Sequence, residues 1–230
     1  MSNSVGAVIV AAGRGTRMGT AESKQYLRLA DKPIIVHTLE VFQRHPLITE
    51  IVLVTGAEDV ERCREWVHTY GMDKVKAIIP GGSERQYSVH LGLRELDTEW
   101  VMVHDGVRPF VAAGEIDACY TKAKETGASV LAVPVKDTIK QVDKDGMVVS
   151  TPDRRSLWAI QTPQTFRLSD LLAAYEAAER DGYLGTDDSS LAERSGIPVA
   201  VVEGSYRNIK ITTPEDLEFA EFTQAQQRRG

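Results

Sequence analysis

Hydrophobic positions along the chain fall into short apolar runs, separated by longer segments in which apolar residues recur at helical spacing. Residues 5–11, VGAVIVA, are apolar throughout, as is typical of a strand buried on both faces of a sheet. Runs of the same type predict five further strands. They cover residues 51–55, 75–79, 100–104, 129–133 and 199–202.

The segments between these runs predict helices over residues 33–44, 59–70, 84–96, 115–126, 169–180, 188–194 and 214–226. Pro33 and Pro214 suit first helical turns, and Gly71, Gly127 and Gly196 suit helix ends. Strands that alternate with helices predict an α/β fold, a Rossmann-like, mostly parallel sheet with helices on both faces. Ligands of such sheets bind at the carboxyl ends of the strands.

Residues 136–150 interrupt this alternation. KDTIKQV, DKDG and MVVS predict a β-hairpin with its turn at residues 143–146. Polar and apolar residues alternate in it, and few are typical of a core. The pattern leaves two interpretations open: an arm that protrudes toward a partner, or an edge hairpin on its own domain.

Composition narrows the function classes. The 230 residues carry 27 Lys and Arg against 33 Asp and Glu, a net charge of −6, which argues against nucleic acid as the main partner. This length suits one domain over residues 1–230. No segment is long enough to span a membrane, and no signal peptide is apparent. Cys63 and Cys119 are interpreted as free thiols. We therefore expect a cytoplasmic protein.

A glycine-rich loop follows the first strand and reads AAGRGTRMG over residues 11–19. It lacks the third glycine of a dinucleotide fingerprint, since Met18 stands there, and no Walker A motif aligns with it. Backbone N–H groups at such a loop, joined by the cations Arg14, Arg17 and Lys24, can bind a triphosphate. A surface turn with solvated charges is the alternative.

Three other groups of residues follow predicted strands. Asp105 and Arg108, after the strand at 100–104, suit a Mg²⁺ site beside a polar ligand, with a turn cap as the alternative for Asp105. Gly81 and Gly82 permit close approach of a ligand, while Ser83 is interpreted as a helix N-cap or a ligand contact. Lys210, predicted on a short strand before a helix, could meet a phosphate or solvent.

Two other chemistries find no support. The five histidines show no zinc-ligand spacing, and the chain contains no G-x-S-x-G nucleophile elbow.

Taken in order, the segments A-A-G-x-G-x-R-M, K-Q-Y, G-G-x-E-R, V-H-D-x-x-R-P, D-T-I-K, D-R-x-x-L-W, Q-T-P-Q, T-D-D and N-I-K-x-T-x-P-E-D resemble the 2-C-methyl-D-erythritol 4-phosphate cytidylyltransferase family. The match runs from about residue 11 to residue 216. The resemblance implies a nucleotide-diphospho-sugar transferase-like domain that transfers CMP from CTP to 2-C-methyl-D-erythritol 4-phosphate with Mg²⁺ and releases pyrophosphate. It also implies a homodimer in which the β-arm, residues 136–158, reaches the other subunit.

The resemblance also assigns roles to individual residues. Arg17 and Lys24 are the expected catalytic residues at the α-phosphate, and Asp105 is the expected Mg²⁺ ligand. The expected nucleotide-binding residues are Ala11, Ala12, Gly13, Arg14, Gly15, Gly82, Ser83, Ser88 and Asp105. The expected acceptor-binding residues are Arg108, Thr138, Arg154, Thr162, Thr186 and Lys210.

Departures from the family pattern keep other functions open. Ser23 stands where proline is frequent, Ser83 where Asp is common, and Gly106-Val107 where Ala-Ala or Gly-Ala is frequent. The last pair is compatible with the related ribitol-5-phosphate cytidylyltransferases, although Asp153-Arg154 and Leu157-Trp158 argue against them. Further alternatives are a sugar-1-phosphate nucleotidyltransferase and a non-catalytic nucleotide-binding module.

Overall fold

A seven-stranded sheet forms the centre of the computed structural model, which describes residues 4–13 and 22–228. Its strands are β1 (Val5–Ala11), β4 (Ile48–Thr55), β5 (Val75–Pro80), β6 (Trp100–Asp105), β7 (Ala128–Pro134), β10 (Trp158–Arg167) and β11 (Val199–Glu203). Two small hairpins add β2 (Arg28–Leu29) with β3 (Lys32–Pro33) and β8 (Gln141–Val142) with β9 (Val148–Ser150). The helices are α1 (Ile34–Arg44), α2 (Val60–Thr69), α3 (Arg85–Arg94), α4 (Ala113–Thr126), α5 (Leu168–Arg180), α6 (Asp188–Arg194) and α7 (Pro214–Gln227).

The strand order is β11-β7-β10-β6-β1-β4-β5, and every pairing except those of β10 is parallel. The prediction of a mostly parallel α/β sheet is therefore confirmed. Strand β10, which runs antiparallel to both β6 and β7, was not predicted. Its pairing with β7 is irregular between Ile160 and Gln164, and Thr162 lies in that irregular stretch.

The two faces of the sheet carry different helices because side chains alternate along each strand. On β1, Ala7 and Ile9 pack in the hydrophobic cluster that includes residues of α1, α2 and α4, whereas Val8 packs in the cluster that includes residues of α3, α5 and α6. Helices cover both faces, as the alternation of strands and helices predicted.

Most helix boundaries follow the local signals, but Pro33 is the N-cap of α1 and does not lie in its first turn, so that prediction is wrong. Gly71, Gly127 and Gly196 follow helices at φ of +63°, +104° and +77°, a region that glycine enters without steric cost. Ser83 is not the N-cap of α3: that position is Glu84, so this interpretation of Ser83 is wrong. Lys210 is not on a strand, and this prediction is also wrong, because the chain from Asn208 to Thr212 is a loop.

Hydrogen bonds at the N-terminus of α7 fix the end of that loop. Asp216 Oδ2 accepts hydrogen bonds from the backbone N–H groups of Thr212 at 2.8 Å and Thr213 at 2.9 Å, and the Thr213 side chain accepts from Asp216 N. Ile211 is buried with Val107 in a small cluster beneath α7. The C-terminal end of the segment that carries Lys210 is therefore anchored.

The predicted hairpin at residues 136–150 is confirmed, in shorter form, as β8 and β9. Gly146, at φ +81°, lies in its turn. Residues 136–151 are exposed throughout, including Val148 and Met147, the latter at 67 %. Because all of these residues are exposed, the hairpin does not pack on the core of its own chain. A two-stranded ribbon without a packed face is only marginally stable by itself.

Among the described residues, no helix combines the length and the apolar character that a membrane crossing requires.

Candidate active site

A first cleft opens where the carboxyl ends of β1 and β6 approach the start of α3. Nine of the residues singled out from the sequence line it, and they come from five separate segments of the chain. They are Ala11, Ala12, Gly13, Lys24, Gly82, Ser83, Ser88, Asp105 and Lys210. The cleft lies beyond the carboxyl ends of parallel strands, which is where ligands of such sheets bind.

Gly81 allows the loop after β5 to lie against the loop after β1, and Gly82 allows it to lie against the first turn of α3. A Cβ at Gly81 would lie 2.4 Å from the Ala12 Cβ and 2.7 Å from Ser88 Oγ, and one at Gly82 would lie 2.6 Å from the Tyr87 Cβ. Ser88 Oγ accepts a hydrogen bond from Gly82 N at 3.1 Å. The side of the cleft formed by Gly81 and Gly82 therefore has no room for a methyl group at either position.

Gln25 holds the start of the glycine-rich loop. Its buried side chain donates from Nε2 to the carbonyl oxygens of Ala11 at 2.7 Å and Gly13 at 3.1 Å. Gln25 lies within the K-Q-Y segment, but no role was predicted for it from the sequence. Arg14, Gly15 and Arg17 lie outside the described residues.

A second cleft adjoins the first on the side of β10. Arg108, Thr162 and Thr186, expected at the acceptor, line it together with Ile160, Gln161, Gln164 and Asp187. Arg85, Asp105 and Lys210 line both clefts. The two clefts therefore share one charged wall.

Asp105 is the centre of that wall. Lys210 Nζ lies 2.9 Å from its Oδ2, Arg108 Nε lies 3.5 Å from the same oxygen, and Arg85 Nε lies 3.4 Å from Oδ1. Burial by itself raises the pKa of Asp105, but the charges of Arg85, Lys210 and Arg108 outweigh it and hold the pKa well below its usual range. Arg85 is also paired with Asp188, so the three cations face two carboxylates. The small excess of positive charge suits phosphate ligands.

A buried chain of hydrogen bonds supports the loop that carries Asp105. The Arg108 carbonyl can only accept, so His104 Nε2, 3.0 Å away, carries the proton. His104 Nδ1 therefore accepts from the Thr162 hydroxyl at 3.0 Å, and Thr162 Oγ1 accepts from Asp105 N at 3.1 Å. Burial lowers the pKa of His104 to about 4, so the ring is neutral at pH 7.

Asn208 connects the same elements from the other side. Its main-chain carbonyl oxygen accepts a hydrogen bond from Arg108 Nη1 at 2.7 Å, and its side-chain Nδ2 donates to the main-chain carbonyl oxygen of Thr162 at 2.9 Å. The hydrogen bond to Asn208 therefore fixes the guanidinium of Arg108 beside Asp105. Neither Asn208 nor Arg85 was assigned a role from the sequence, although both stand inside quoted motifs, N-I-K and G-G-x-E-R.

Two predicted acceptor residues do not line either cleft. Thr138 and Arg154 are exposed in the segment that contains the β8–β9 hairpin, and Arg154 Nη1 donates to the Lys136 carbonyl at 2.9 Å. Within one chain they are separate from the other predicted acceptor residues.

In the part of the chain that the structure describes, no three side chains of His, Cys, Asp or Glu form a group able to hold a metal ion by themselves. A cation at Asp105 would need further ligands from bound phosphates, which is how Mg²⁺ is commonly held.

Comparison with known proteins gives a consistent result. The family model described as 2-C-methyl-D-erythritol 4-phosphate cytidylyltransferase matches residues 5–226. Proteins of that name are similar to this chain: one from Geobacillus kaustophilus is 51% identical over 94% of either chain, and one from Alkaliphilus metalliredigens is 49% identical over 94% of this chain and 91% of its own. A crystal structure of 4-diphosphocytidyl-2C-methyl-D-erythritol synthase from Anaerococcus prevotii superposes with a TM-score of 0.84 at 34% identity, covering 96% of either chain.

Proposed function

Because the chain belongs to the 2-C-methyl-D-erythritol 4-phosphate cytidylyltransferase family, we propose that it transfers CMP from CTP to 2-C-methyl-D-erythritol 4-phosphate. The products are 4-diphosphocytidyl-2-C-methyl-D-erythritol and pyrophosphate. One observation carries this proposal: the two clefts share the wall formed by Arg85, Asp105 and Lys210. A nucleotide in the first cleft and a phosphorylated acceptor in the second would meet at that wall.

The proposed reaction needs no general base. The nucleophile is an oxygen of the acceptor phosphate, whose second pKa near 6 leaves it mostly dianionic at neutral pH. The barrier is electrostatic, because one anion must approach another. Positioning and neutralisation of charge then carry the catalysis.

The cations are distributed to meet that need. Lys24 lines the first cleft, where it would stabilise charge on the α-phosphate together with Arg17. Arg108 and Lys210 line the second cleft, where they would bind the acceptor phosphate. The chain has a net charge of −6, yet it concentrates cations at this junction.

Mg²⁺ fits the same site. The carboxylate of Asp105 is kept ionised by its neighbours, as a Mg²⁺ ligand must be, and it borders the cleft proposed for the triphosphate. Asp105 would hold the ion and phosphate oxygens would complete the coordination. When bound, Mg²⁺ would supply positive charge beside the triphosphate.

The whole chain, residues 1–230, is proposed to be one nucleotidyltransferase domain, with residues 136–158 as the arm of a homodimer. Support comes from the exposed apolar side chains of Val142, Met147, Val148 and Val149 on a hairpin that leaves its own core. Thr138 and Arg154 would then reach the acceptor of the partner subunit. Two buried free cysteines, Cys63 and Cys119, agree with a cytoplasmic location, which is also part of the proposal.

A pyrophosphate-release assay tests the activity. With Mg²⁺, CTP and 2-C-methyl-D-erythritol 4-phosphate, we expect turnover that UTP, GTP and dTTP do not support. Ribitol 5-phosphate is the competing acceptor, and kcat/KM measured for both decides between them. Absence of pyrophosphate with either acceptor would contradict the proposal.

The arm is tested by substitutions at its exposed polar residues. Thr138→Ala and Arg154→Ala should raise KM for the acceptor while KM for CTP stays within about twofold, because neither side chain lines the nucleotide cleft. Sedimentation of the wild-type protein should give a dimer. A monomer, or an equal rise in both KM values, would refute the proposed arm.

A further inference from the structure

Asp188, the first residue of α6, is completely buried and ion-paired. Arg85, the first residue of α3, donates to both of its oxygens, from Nη1 at 3.0 Å and from Nη2 at 2.8 Å. Burial by itself lowers the pKa of Arg85, but Asp188 and Asp105 outweigh it and raise the pKa above its usual value. The guanidinium therefore remains charged and doubly bonded.

A third group fixes this pair from the helical layer. The hydroxyl of Tyr175, on α5, donates to Asp188 Oδ1. Burial raises the pKa of Tyr175 well above its usual value, and the charge of Asp188 adds to the effect, so the hydroxyl keeps its proton and is a donor. Tyr175 itself belongs to the hydrophobic cluster and lines neither cleft.

A further N–H of Arg85, on Nε, points at Asp105 in the charged wall that the two clefts share. It lies 3.4 Å from Asp105 Oδ1, and Arg85 lines both clefts. With Nη1 and Nη2 committed to Asp188, the direction of Nε is set, because the guanidinium is planar and rigid.

We propose that Arg85 is a positioning residue that orients the Asp105 carboxylate, and that Asp188 on α6 and Tyr175 on α5 hold Arg85 in place. This inference rests on the proposed function, since it assigns Asp105 to the reaction. It makes a hydroxyl in the helical layer part of the support of the active site.

A purely structural role, in which the ion pair only ties α3 to α6 and the loop before it, explains less. Gln86 already makes that tie: its Nε2 donates to the Tyr183 carbonyl at 3.0 Å, and its Oε1 accepts from Gly185 N at 2.9 Å. The bidentate geometry at Asp188 and the contact with Asp105 are what Arg85 adds.

Tyr175→Phe is the decisive variant, because it removes one hydroxyl and leaves the ring. Tyr120→Phe is its matched control: among the described residues Tyr120 Oη has no hydrogen-bond partner, and it lies on α4. Both variants are compared with the wild type in kcat, in both KM values and in CTP binding by calorimetry, with Mg²⁺ and with a chelator.

For Tyr175→Phe we expect kcat to fall about tenfold, because small displacements at a reacting centre are costly. The Mg²⁺ concentration that half-saturates CTP binding should rise about as much, while binding without Mg²⁺ stays within about twofold. Tyr120→Phe should match the wild type. Arg85→Lys keeps the charge but lacks the rigid fork that is bidentate to Asp188 while Nε faces Asp105. It should lower kcat by about 100-fold in a protein that remains folded by circular dichroism.

Wild-type kcat and Mg²⁺ dependence in Tyr175→Phe would overturn the inference, as would an equal loss of CTP binding with and without Mg²⁺. Full activity in Arg85→Lys would overturn it as well. A wild-type protein that binds Mg²⁺ and CTP but releases no pyrophosphate would instead refute the proposed function, and the Mg²⁺ titration would still decide the role of Arg85.

Discussion

Gly81 is the position at which a single methyl group should damage the nucleotide cleft most directly. A Cβ built there would lie 2.4 Å from the Ala12 Cβ and 2.7 Å from Ser88 Oγ. Carbon atoms in contact are normally about 3.5–4.0 Å apart, so the two loops must separate by about 1 Å. Both neighbours line the first cleft, and the displacement therefore falls on the proposed nucleotide site.

The expected cost of Gly81→Ala has two parts. Overpacking of this kind destabilises a fold by about 1–3 kcal/mol. A misplacement of about 1 Å in a binding wall lowers kcat/KM by up to about 100-fold. The loss should appear mainly in KM for CTP, because the acceptor cleft does not include Gly81 or Ala12.

Gly114→Ala is the control for the same chemical change. A Cβ at Gly114 meets nothing within 4 Å, and the residue lies in α4, where alanine is favoured over glycine by about 0.5–1 kcal/mol. Thermal unfolding and steady-state kinetics on both variants give the comparison. Gly81→Ala with a wild-type KM for CTP, or Gly114→Ala with the same defect as Gly81→Ala, would refute the argument from close approach.

Three further substitutions test other parts of the site. Lys24→Ala should lower kcat by about 100-fold or more, with little change in thermal stability, because its charge acts on the transition state; near-full turnover would contradict its role. Gln25→Ala should raise KM for CTP several-fold, since it releases the Ala11 and Gly13 carbonyls; unchanged binding by calorimetry would count against this. Asp216→Ala should cost about 1 kcal/mol at pH 7. Although burial works against it, hydrogen bonds from neighbouring residues lower the pKa of Asp216, so this penalty should persist down to acid pH and vanish only as the wild-type carboxyl itself protonates; a constant penalty in denaturation at pH 2–3 would refute it.

The strands could be predicted from the sequence where their buried side chains are apolar. β1, β4 and β6 are buried by Val, Ile, Leu and Met, and such runs predict a strand without knowledge of its neighbours. β10 was missed because its buried middle is polar: Gln161, Thr162, Gln164 and Thr165. Buried polar groups of this kind are stable only beside hydrogen-bond partners such as His104, which the local sequence cannot supply.

The candidate site divides in the same way. The glycine loops, Asp105, Arg108 and Lys210 could be singled out because motif order and position after a strand point to them. Arg85 and Asp188 were given no role, although they lie within the motifs G-G-x-E-R and T-D-D, because their role depends on a pairing that the sequence does not show. Their pairing joins positions 103 residues apart.

The sequence by itself determined the α/β class, the family and most residues that line the two clefts, because these follow from local periodicity and ordered motifs. Only the tertiary structure decided that the clefts share Arg85, Asp105 and Lys210, and that the Thr162 hydroxyl is committed to His104. The physical reason is that packing brings distant polar groups within hydrogen-bond distance. Which donor meets which acceptor depends on that geometry and not on the residues adjacent in the chain.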